Sequence, residues 1–325
     1  MNYKRVFKSQ SARFALLNAV KWVPDSIMIP LQYRVKLGRW PNLNNPQRYT
    51  EKLQIYKMKY RNPIMGRCVD KYEVRQYVEE KGLKDILIPL IGLFETPSEI
   101  NFDFFPNSFV LKTTDGGGGK NVLVCNDKSK LDYDSTRKQL CSWMNVKDVN
   151  AGREWAYTQI LSSRIIAEKK LEATDFQMGL VDYKFFCFNG KFRYMYIITE
   201  RIPGRQAKFS VYDREFNKLD VYRNDELKCE YTLPKPENFE QMISIAEHLS
   251  EGLPHVRVDL YNENGNIYFG ELTFYDGSGY FGFIPDEFDY ELGKWFDVTN
   301  MSGGGQKLDK LLQYVVSNNF MLETA

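Results

Sequence analysis

Residues 255–275, HVRVDLYNENGNIYFGELTFY, are predicted to form a β-hairpin around the turn dipeptide Asn264-Gly265. Alternate side chains of a strand point to opposite faces, so Arg257 and Asp259 share the polar face of the first strand. On the second strand, Glu271 is the acidic residue of the polar face. The hairpin therefore carries one basic and two acidic residues at positions that a sheet can bring together.

The length of the connecting loop determines whether Asp259 and Glu271 share a face. A three-residue loop, 263–265, places them on one face, whereas a two-residue Asn264-Gly265 turn places them on opposite faces. The three-residue loop also aligns the apolar residues of both strands as one core face: Val256, Val258, Leu260, Gly270 and Leu272. We therefore predict the three-residue loop and a shared carboxylate face.

Two carboxylates on one face repel each other unless a cation lies between them. Magnesium prefers such hard oxygen ligands and commonly bridges protein carboxylates and nucleotide phosphates. Arg257 on the same face would stabilise negative charge during group transfer. The alternative is a surface hairpin with a cross-strand Arg–Glu pair, and the hairpin alone leaves both open.

A glycine run lies further towards the N-terminus, in residues 109–125, FVLKTTDGGGGKNVLVC. The pattern predicts a strand, a glycine-rich loop and a second strand, and it fits neither GxxxxGK[ST] nor GxGxxG. Glycines let backbone N–H groups approach phosphate oxygens, and Lys112 and Lys120 bracket the loop with positive charge. A plain glycine-rich turn is the alternative.

The rest of the chain divides into a helical first part and a strand-rich second part. Residues 1–100 are predicted to be mostly helical, with Thr50 and Asp70 as helix caps. Further helices are expected near 134–147, 237–251 and 306–317. The segment DYKFFCFNGKFRYMYIITE, 182–200, is predicted to be a hairpin with a two-residue turn, which places Lys184 and Arg193 on one face.

Composition narrows the function. A net charge of +2 without a dominant basic stripe argues against a nucleic-acid partner. Five cysteines without a CxxC pair are typical of a reduced, cytoplasmic protein, and two histidines exclude a histidine-rich zinc site. The basic N-terminal region leaves two interpretations, a helix packed on the body, which we favour, or a helix on a membrane surface.

The order of these motifs resembles the ATP-grasp fold, and within it the TupA-like family, which is tied to teichuronopeptide and capsular polysaccharide synthesis. The resemblance spans about residues 37 to 295. The segments that carry it are EKL at 51–53, DKYEVRQYV at 70–78, VLKTTDGGGGKN at 110–121, IIAEKKLE at 165–172, DYKFFCFNGK at 182–191, VRVDLY at 256–261 and FGELTFYDGSGYFGFIPDEFDYELG at 269–293.

The resemblance implies an α+β fold of two lobes that hold ATP between antiparallel sheets, behind a helical N-terminal extension. The implied domains are a helical region (1–100), a small lobe with the glycine loop (101–172), a large lobe with the metal site (173–300) and a C-terminal tail (301–325).

The resemblance also implies roles for individual residues. ATP would contact two lysines, the glycine loop and the hinge segment EKKL: Lys71, Lys112, Gly116, Gly117, Gly118, Gly119, Lys120, Glu168, Lys169 and Leu171. The implied Mg²⁺ ligands are Asp259 and Glu271, with Thr273 where the family often has asparagine. Arg257 corresponds to the arginine near the acyl phosphate. Lys184 and Arg193 are candidate catalytic cations that would hold phosphate or an acidic acceptor, and a solvated sheet edge is the alternative for them. Gly277, Ser278 and Gly279 lie where the acceptor site begins.

The implied activity is a carboxylate–amine ligase that forms an amide between an amino acid or other amine and a uronic acid. The acceptor would be a nucleotide sugar, a polysaccharide or its precursor, and the expected location is the cytoplasm or the inner face of the plasma membrane. One alternative is a glycosyltransferase, for which Asp132-Tyr133-Asp134 offers a DxD motif, although Asp134 is better explained as a helix cap. A non-catalytic nucleotide-binding scaffold is the other alternative.

Overall fold

The computed structural model describes residues 17, 19–117, 121–145, 151–173, 178–201, 206–299 and 301. The helices within these residues are α1 (Asp25–Leu37), α2 (Tyr49–Lys59), α3 (Pro63–Val69), α4 (Glu73–Glu80), α5 (Tyr133–Asn145), α6 (Phe239–Ser250) and α7 (Glu287–Trp295). Short 3-10 helices span Lys84–Ile86, Pro97–Glu99, Phe102–Phe104, Lys128–Lys130, Trp155–Gln159 and Asp276–Gly279. The helix predicted near 306–317 lies outside the described residues.

The strands form a small and a large sheet, together with a two-stranded pair. They are β1 (Leu90–Phe94), β2 (Phe109–Thr113), β3 (Val122–Cys125), β4 (Ile165–Lys169), β5 (Asp182–Phe188), β6 (Lys191–Thr199), β7 (Lys208–Asp213), β8 (Lys218–Leu219), β9 (Tyr222–Arg223), β10 (Leu227–Lys228), β11 (His255–Glu263), β12 (Asn266–Thr273) and β13 (Phe283–Ile284).

Side-chain caps set the ends of the N-terminal helices. The Asp70 carboxylate accepts hydrogen bonds from the backbone N–H groups of Tyr72 and Glu73, at 2.8 and 2.9 Å, so it caps α4 as predicted. The prediction for Thr50 is wrong because this residue lies inside α2. There the Glu51 carboxylate accepts from the N–H groups that precede the helix, those of Gln47 and Arg48, at 3.1 and 3.2 Å.

The small sheet has the strand order β1-β4-β2-β3 and is antiparallel throughout. Its β1 lies within the region assigned to the helical extension. One face is buried against α5 and an aromatic cluster that includes Phe102 and Phe109. The helix begins under a cap by Asp132, whose carboxylate accepts from the Ser135 N–H at 2.9 Å. The cap is therefore Asp132 and not Asp134, whose side chain is 87% exposed.

The large sheet has the order β10-β7-β6-β5-β11-β12, with β8 alongside β7. Every residue of β5 is buried because elements cover both faces of the sheet. On one face Phe185 packs against Phe239 of α6, and on the other Phe186 packs against Tyr49 of α2. The second face continues past the apolar contacts into the polar cluster that forms the candidate site.

In the hairpin β11–β12, Asp259 and Glu271 share a face as predicted, but for a different structural reason. Its turn is the two-residue Asn264-Gly265 type, with both φ angles positive, so the three-residue loop is wrong. A β-bulge restores the alignment, because Asp259 pairs with Glu271 whereas Leu260 pairs with Phe269. The extra residue is Gly270, and a Cβ there would lie 3.0 Å from the Asp259 carbonyl oxygen.

Candidate active site

The candidate site is built on one face of three adjacent strands, β5, β11 and β12. Lys184 is opposite Asp259, and Asp259 is opposite Glu271, so the three side chains project to the same side of the sheet. Arg257 and Thr273 form the next cross-strand pair on that face. The strand register therefore assembles a polar row from residues that are far apart in sequence.

Arg257 is the centre of this row. Its Nε lies 2.7 Å from one Asp259 oxygen and its Nη2 lies 2.8 Å from the other. The same Nη2 lies 3.3 Å from Glu271 Oε1 and 3.0 Å from Thr273 Oγ1, while Nη1 donates to Asp276. The planar guanidinium thus ties three carboxylates and a hydroxyl together, which an ammonium group cannot do in the same geometry.

Lys184 lies between two buried carboxylates. Its ammonium is 2.7 Å from Asp182 Oδ2 and also donates to Asp259. Burial lowers the pKa of Lys184, but Asp182 and Asp259 outweigh this effect and raise it overall. The side chain therefore stays charged and holds the two carboxylates in place.

The two opposed carboxylates differ in their proton affinity. Burial raises the pKa of Asp259 to about 6, against the opposing effect of Arg257 and Lys184. Burial also acts to raise the pKa of Glu271, but Lys184, Arg257, Lys71 and the Thr273 hydroxyl lower it to about 2. The Glu271 side chain is 41% exposed, so this charge faces solvent at the surface of the site.

Lys71 connects the glycine loop to this face. Its ammonium donates to the Gly116 carbonyl, and its backbone N–H donates to the Thr114 carbonyl at 3.0 Å. Burial lowers the pKa of Lys71, while Glu271 opposes this and Lys112 adds to it. The charges of Glu271 and of Lys112, the second predicted phosphate lysine, thus both act on the Lys71 ammonium.

Lys112 and Glu168 form an ion pair across β2 and β4, with Nζ 2.7 Å from Oε2. Arg75, which the sequence did not single out, lies 3.3 Å from the other Glu168 oxygen. After Glu168, the predicted hinge continues with the exposed Lys169, whose N–H donates to the Pro89 carbonyl at 2.9 Å, and the buried Leu171. The structure thus brings Lys71 and Lys112 to one place, with Glu168 holding Lys112.

The glycine loop is described only at its ends. Gly116 accepts the bond from Lys71, and a Cβ added at Gly117 would meet no atom within 4 Å. The predicted contacts at Gly118, Gly119 and Lys120 lie outside the described residues.

The turn 276–279, predicted to bind the acceptor, is fixed by hydrogen bonds to other parts of the protein. Gly277, Ser278 and Gly279 all have positive φ angles, 49°, 57° and 66°. The Ser278 carbonyl accepts from buried Lys57 at 2.8 Å, and the Ser278 hydroxyl donates to Glu154. Both polar groups of Ser278 are therefore engaged within the protein.

Arg193 does not join Lys184 in the site, which corrects the prediction that the two cations act together. A bulge between Phe186 and Cys187 shifts the register of β5 and β6, so Lys184 pairs with Tyr196. The Arg193 guanidinium instead stacks over the Trp295 ring, 3.8 Å from its centroid. The ideal alternation on which the prediction depended ends at this bulge.

The sequence also missed two acidic residues. Asp182 lies two residues before Lys184 on β5, and this spacing could have placed it on the same face. Asp276 is the first residue of the DGSG turn, and this position could have identified it. One oxygen of Asp182 is buried without a hydrogen-bond partner. Arg75 carries no comparable signal in the sequence.

The donor set fits magnesium by its chemistry. Asp259 and Glu271 supply hard carboxylate oxygens from opposed positions, and magnesium needs only one or two protein carboxylates beside phosphate oxygens and water. Thr273 is a weaker candidate because its hydroxyl donates to Glu271 at 3.1 Å and contacts Arg257. Among the described residues, no group of three or more His, Cys, Asp or Glu side chains could hold a metal ion by itself.

The model of the TupA-like ATP-grasp family matches residues 51–297. The chain therefore belongs to this family and has the ATP-grasp fold, which confirms the resemblance drawn from the sequence and the predicted α+β class. No curated protein sequence matches the chain.

Three solved structures illustrate the distant likeness. D-alanine–D-alanine ligase from Bacillus anthracis is 18% identical with a TM-score of 0.36, and the match covers 64% of this chain and 57% of that one. L-amino acid ligase from Bacillus licheniformis is 14% identical with a TM-score of 0.40, over 85% and 57%. An N5-carboxyaminoimidazole ribonucleotide synthetase bound to ADP is 16% identical with a TM-score of 0.37, over 64% and 45%. This chain thus spans about half the length of these structures, and likenesses this distant do not define an activity.

Proposed function

We propose that the protein is an ATP-dependent ligase that forms an amide between the carboxylate of a uronic acid and an amino acid or similar amine. The uronic acid would belong to a capsular or other surface polysaccharide or to its precursor. The observation that carries the proposal is that Arg257 contacts both opposed carboxylates, Asp259 and Glu271, on one face of the large sheet. Family membership supports the use of ATP, and the choice of uronic acid rests on the sequence resemblance.

The proposed reaction has two displacements. A carboxylate oxygen of the acceptor attacks the γ-phosphorus of ATP, and the bond from that phosphorus to the bridging oxygen breaks, which releases ADP. The amine nitrogen then attacks the acyl carbon, and the carbon–oxygen bond to phosphate breaks. The nitrogen loses its proton to solvent, and the products are an amide, ADP and phosphate.

Protein cations would position the phosphates in the first displacement. Lys71 and Lys112 lie at the glycine-loop end of the site, and an ammonium has three donors, so Lys112 can bind phosphate while it keeps its bond to Glu168. Fixed charges of this kind stabilise a transferring phosphoryl group without reorganisation.

On the sheet, Asp259 and Glu271 would hold magnesium, and the ion would supply neutralisation of phosphate charge. Arg257 then lies beside the transferred group, and Lys184 keeps Asp259 in position. Arg193 has no part in this proposal because it lies on Trp295. Gly277, Ser278 and Gly279 remain the proposed acceptor-binding turn.

The DxD sequence that suggested a glycosyltransferase has a structural role instead. The Asp132 carboxylate of the DxD sequence is used as the cap of α5. The scaffold alternative has no structural observation in its favour, since the described residues retain both lysines and both carboxylates of the proposed site.

The test is a substrate screen with purified protein, ATP, magnesium, UDP-linked uronic acids and a pool of amino acids. We expect release of ADP together with a new mass equal to acceptor plus amine minus water. Glu271→Gln should abolish both, whereas Glu240→Gln, an exposed carboxylate on α6, should change neither.

Consumption of a sugar nucleotide without ADP would instead support glycosyl transfer. Tight binding of ATP without turnover under every acceptor would support the scaffold.

A further inference from the structure

Helix α1 (Asp25–Leu37) carries both buried and exposed apolar residues. Met28, Ile29 and Tyr33 are buried against the protein. Ile27, Leu31 and Val35 follow each other at intervals of four residues, so they form a second stripe along the helix. The exposed fractions of these three residues are 58%, 44% and 48%.

A large exposed tryptophan lies in sequence before and after this helix. Trp22 is 79% exposed and Trp40 is 62% exposed. Single exposed apolar residues are normal on soluble proteins, but a contiguous stripe with tryptophans near its ends marks an interaction surface. Tryptophan is enriched where one side of the ring meets hydrocarbon and the other meets water.

The charges around the stripe are basic. Lys21, Arg34 and Lys36 are exposed and lie near the stripe in sequence. The one acidic residue of α1, Asp25, lies 2.8 Å from Arg153 and so is already paired. Residues 1–40 of the sequence contain eight lysine and arginine residues but only one acidic residue.

We propose that this surface, formed by Trp22, Ile27, Leu31, Val35 and Trp40, lies on an anionic lipid surface. Anionic headgroups would meet Lys21 and Arg34, and the apolar stripe would enter the boundary between headgroups and acyl chains. The helix would lie in the plane of the membrane, since no helix of the described residues is long and apolar enough to cross one. The proposal goes beyond the ligase activity and does not depend on it.

The test is flotation of the full chain with vesicles of phosphatidylcholine alone and of phosphatidylcholine mixed with phosphatidylglycerol, at low and high salt. We expect binding to the anionic vesicles that weakens with salt, because surface charge attraction is screened. Replacing the stripe, as Ile27→Ser, Leu31→Ser and Val35→Ser together, should lower the partition coefficient at least tenfold.

The matched control replaces three exposed apolar residues of the small lobe region, as Phe104→Ser, Val124→Ser and Leu161→Ser together. Vesicle binding should stay at the level of the unmodified chain. Equal loss in both triple variants, or no loss in the stripe variant, would overturn the proposal.

A second readout locates the contact. Lipids brominated in the acyl chain should quench tryptophan fluorescence, and Trp22→Phe with Trp40→Phe should remove most of that quenching, although Trp143, Trp155 and Trp295 remain. Quenching that persists in this variant would overturn the assignment. Absence of vesicle binding, together with a dimer in sedimentation velocity that the stripe variant dissociates, would assign the surface to a second copy of the chain instead.

Discussion

The Arg257 guanidinium lies at the centre of the polar row and holds charges that would otherwise repel each other. It contacts Asp259, Glu271 and Asp276, of which Asp259 and Asp276 are buried. A buried carboxylate that loses its cation is far more costly than an exposed one, because the charge has been removed from water. The residue is therefore expected to matter for stability as well as for activity.

Arg257→Leu should lower the free energy of unfolding by about 3–5 kcal/mol, the usual result of leaving a buried charge without its partner. Urea unfolding measures this change. Lys235→Leu removes an exposed pair with Glu240 and should cost about 1 kcal/mol or less. Equal costs in the two variants would show that Arg257 does not hold the buried carboxylates together.

Lys112→Met should weaken the binding of a non-hydrolysable ATP analogue by about ten- to a hundredfold, since one charged phosphate contact contributes roughly 1.5–3 kcal/mol. Isothermal titration calorimetry measures the dissociation constant. Lys59→Met, at an exposed position of α2, is the control and should leave it unchanged. An unchanged constant in Lys112→Met would remove this lysine from the proposed phosphate site.

For individual residues, the prediction from the sequence was correct where alternation within one strand was sufficient. Arg257 and Asp259 were predicted to share one face of β11, and they do so in the structure. Lys184 and Arg193 were expected to act together, but a bulge that the sequence does not announce lies between them, and Arg193 stacks on Trp295 instead. Arg75 was missed because its contact with Glu168 depends on how α4 packs against β4.

The hairpin of β11 and β12 is the element on which the site depends. Its two-residue turn would separate the carboxylates, and the bulge at Gly270 brings them back to one face. The predicted face is right although the predicted loop is wrong, because one extra residue in the loop and one extra residue in a strand have the same effect on alternation. Gly270 was the only local signal of the bulge.

Gly270→Ala should lower the rate of ADP formation at least tenfold and the free energy of unfolding by about 1–3 kcal/mol, because the added Cβ crowds the Asp259 carbonyl. Gly265→Ala in the same hairpin is the matched control. Its positive φ also disfavours alanine, at a cost of about 1 kcal/mol, but the two carboxylates keep their alignment. Full activity in Gly270→Ala would show that the bulge does not set the site geometry.

In the whole molecule, His255 links the large sheet to the helical region. It is fully buried, its Nε2 lies 2.9 Å from the Tyr49 hydroxyl, and its Nδ1 lies 2.9 Å from the Cys187 carbonyl. Burial lowers the pKa of His255 to about 3, although the bond to the Cys187 carbonyl opposes this. The folded protein therefore keeps this imidazole neutral at neutral pH.

Acid should destabilise the protein through this residue. The His255 imidazole has a pKa near 6.5 in the unfolded chain and of about 3 in the folded protein. The contribution of the neutral imidazole to the free energy of unfolding is therefore complete above pH 6.5. Below that pH it decreases by about 1.4 kcal/mol for each unit by which the pH is lowered. Between pH 6.5 and 4.5 the loss should be about 2–3 kcal/mol. His255→Gln should reduce this slope in urea unfolding, and identical slopes in the two proteins would contradict the assignment.

The order of motifs along the chain was sufficient to predict the family and the two-sheet fold. It could not predict that β1 (Leu90–Phe94) joins the small sheet beside β4, since this pairing depends on contacts between segments far apart in sequence. Nor could it predict that the turn 276–279 would be held by Lys57 of α2. These are tertiary contacts, and the local pattern of residues in the sequence does not predict them.

The most direct test of the proposed chemistry follows the carboxylate oxygen. With a UDP-linked uronic acid labelled with ¹⁸O in its carboxyl group, ATP and the amine found in the screen, one labelled oxygen should appear in the released phosphate. Released phosphate that carries no label, while ADP and the amide are formed, would contradict an acyl phosphate and, with it, the proposed ligase.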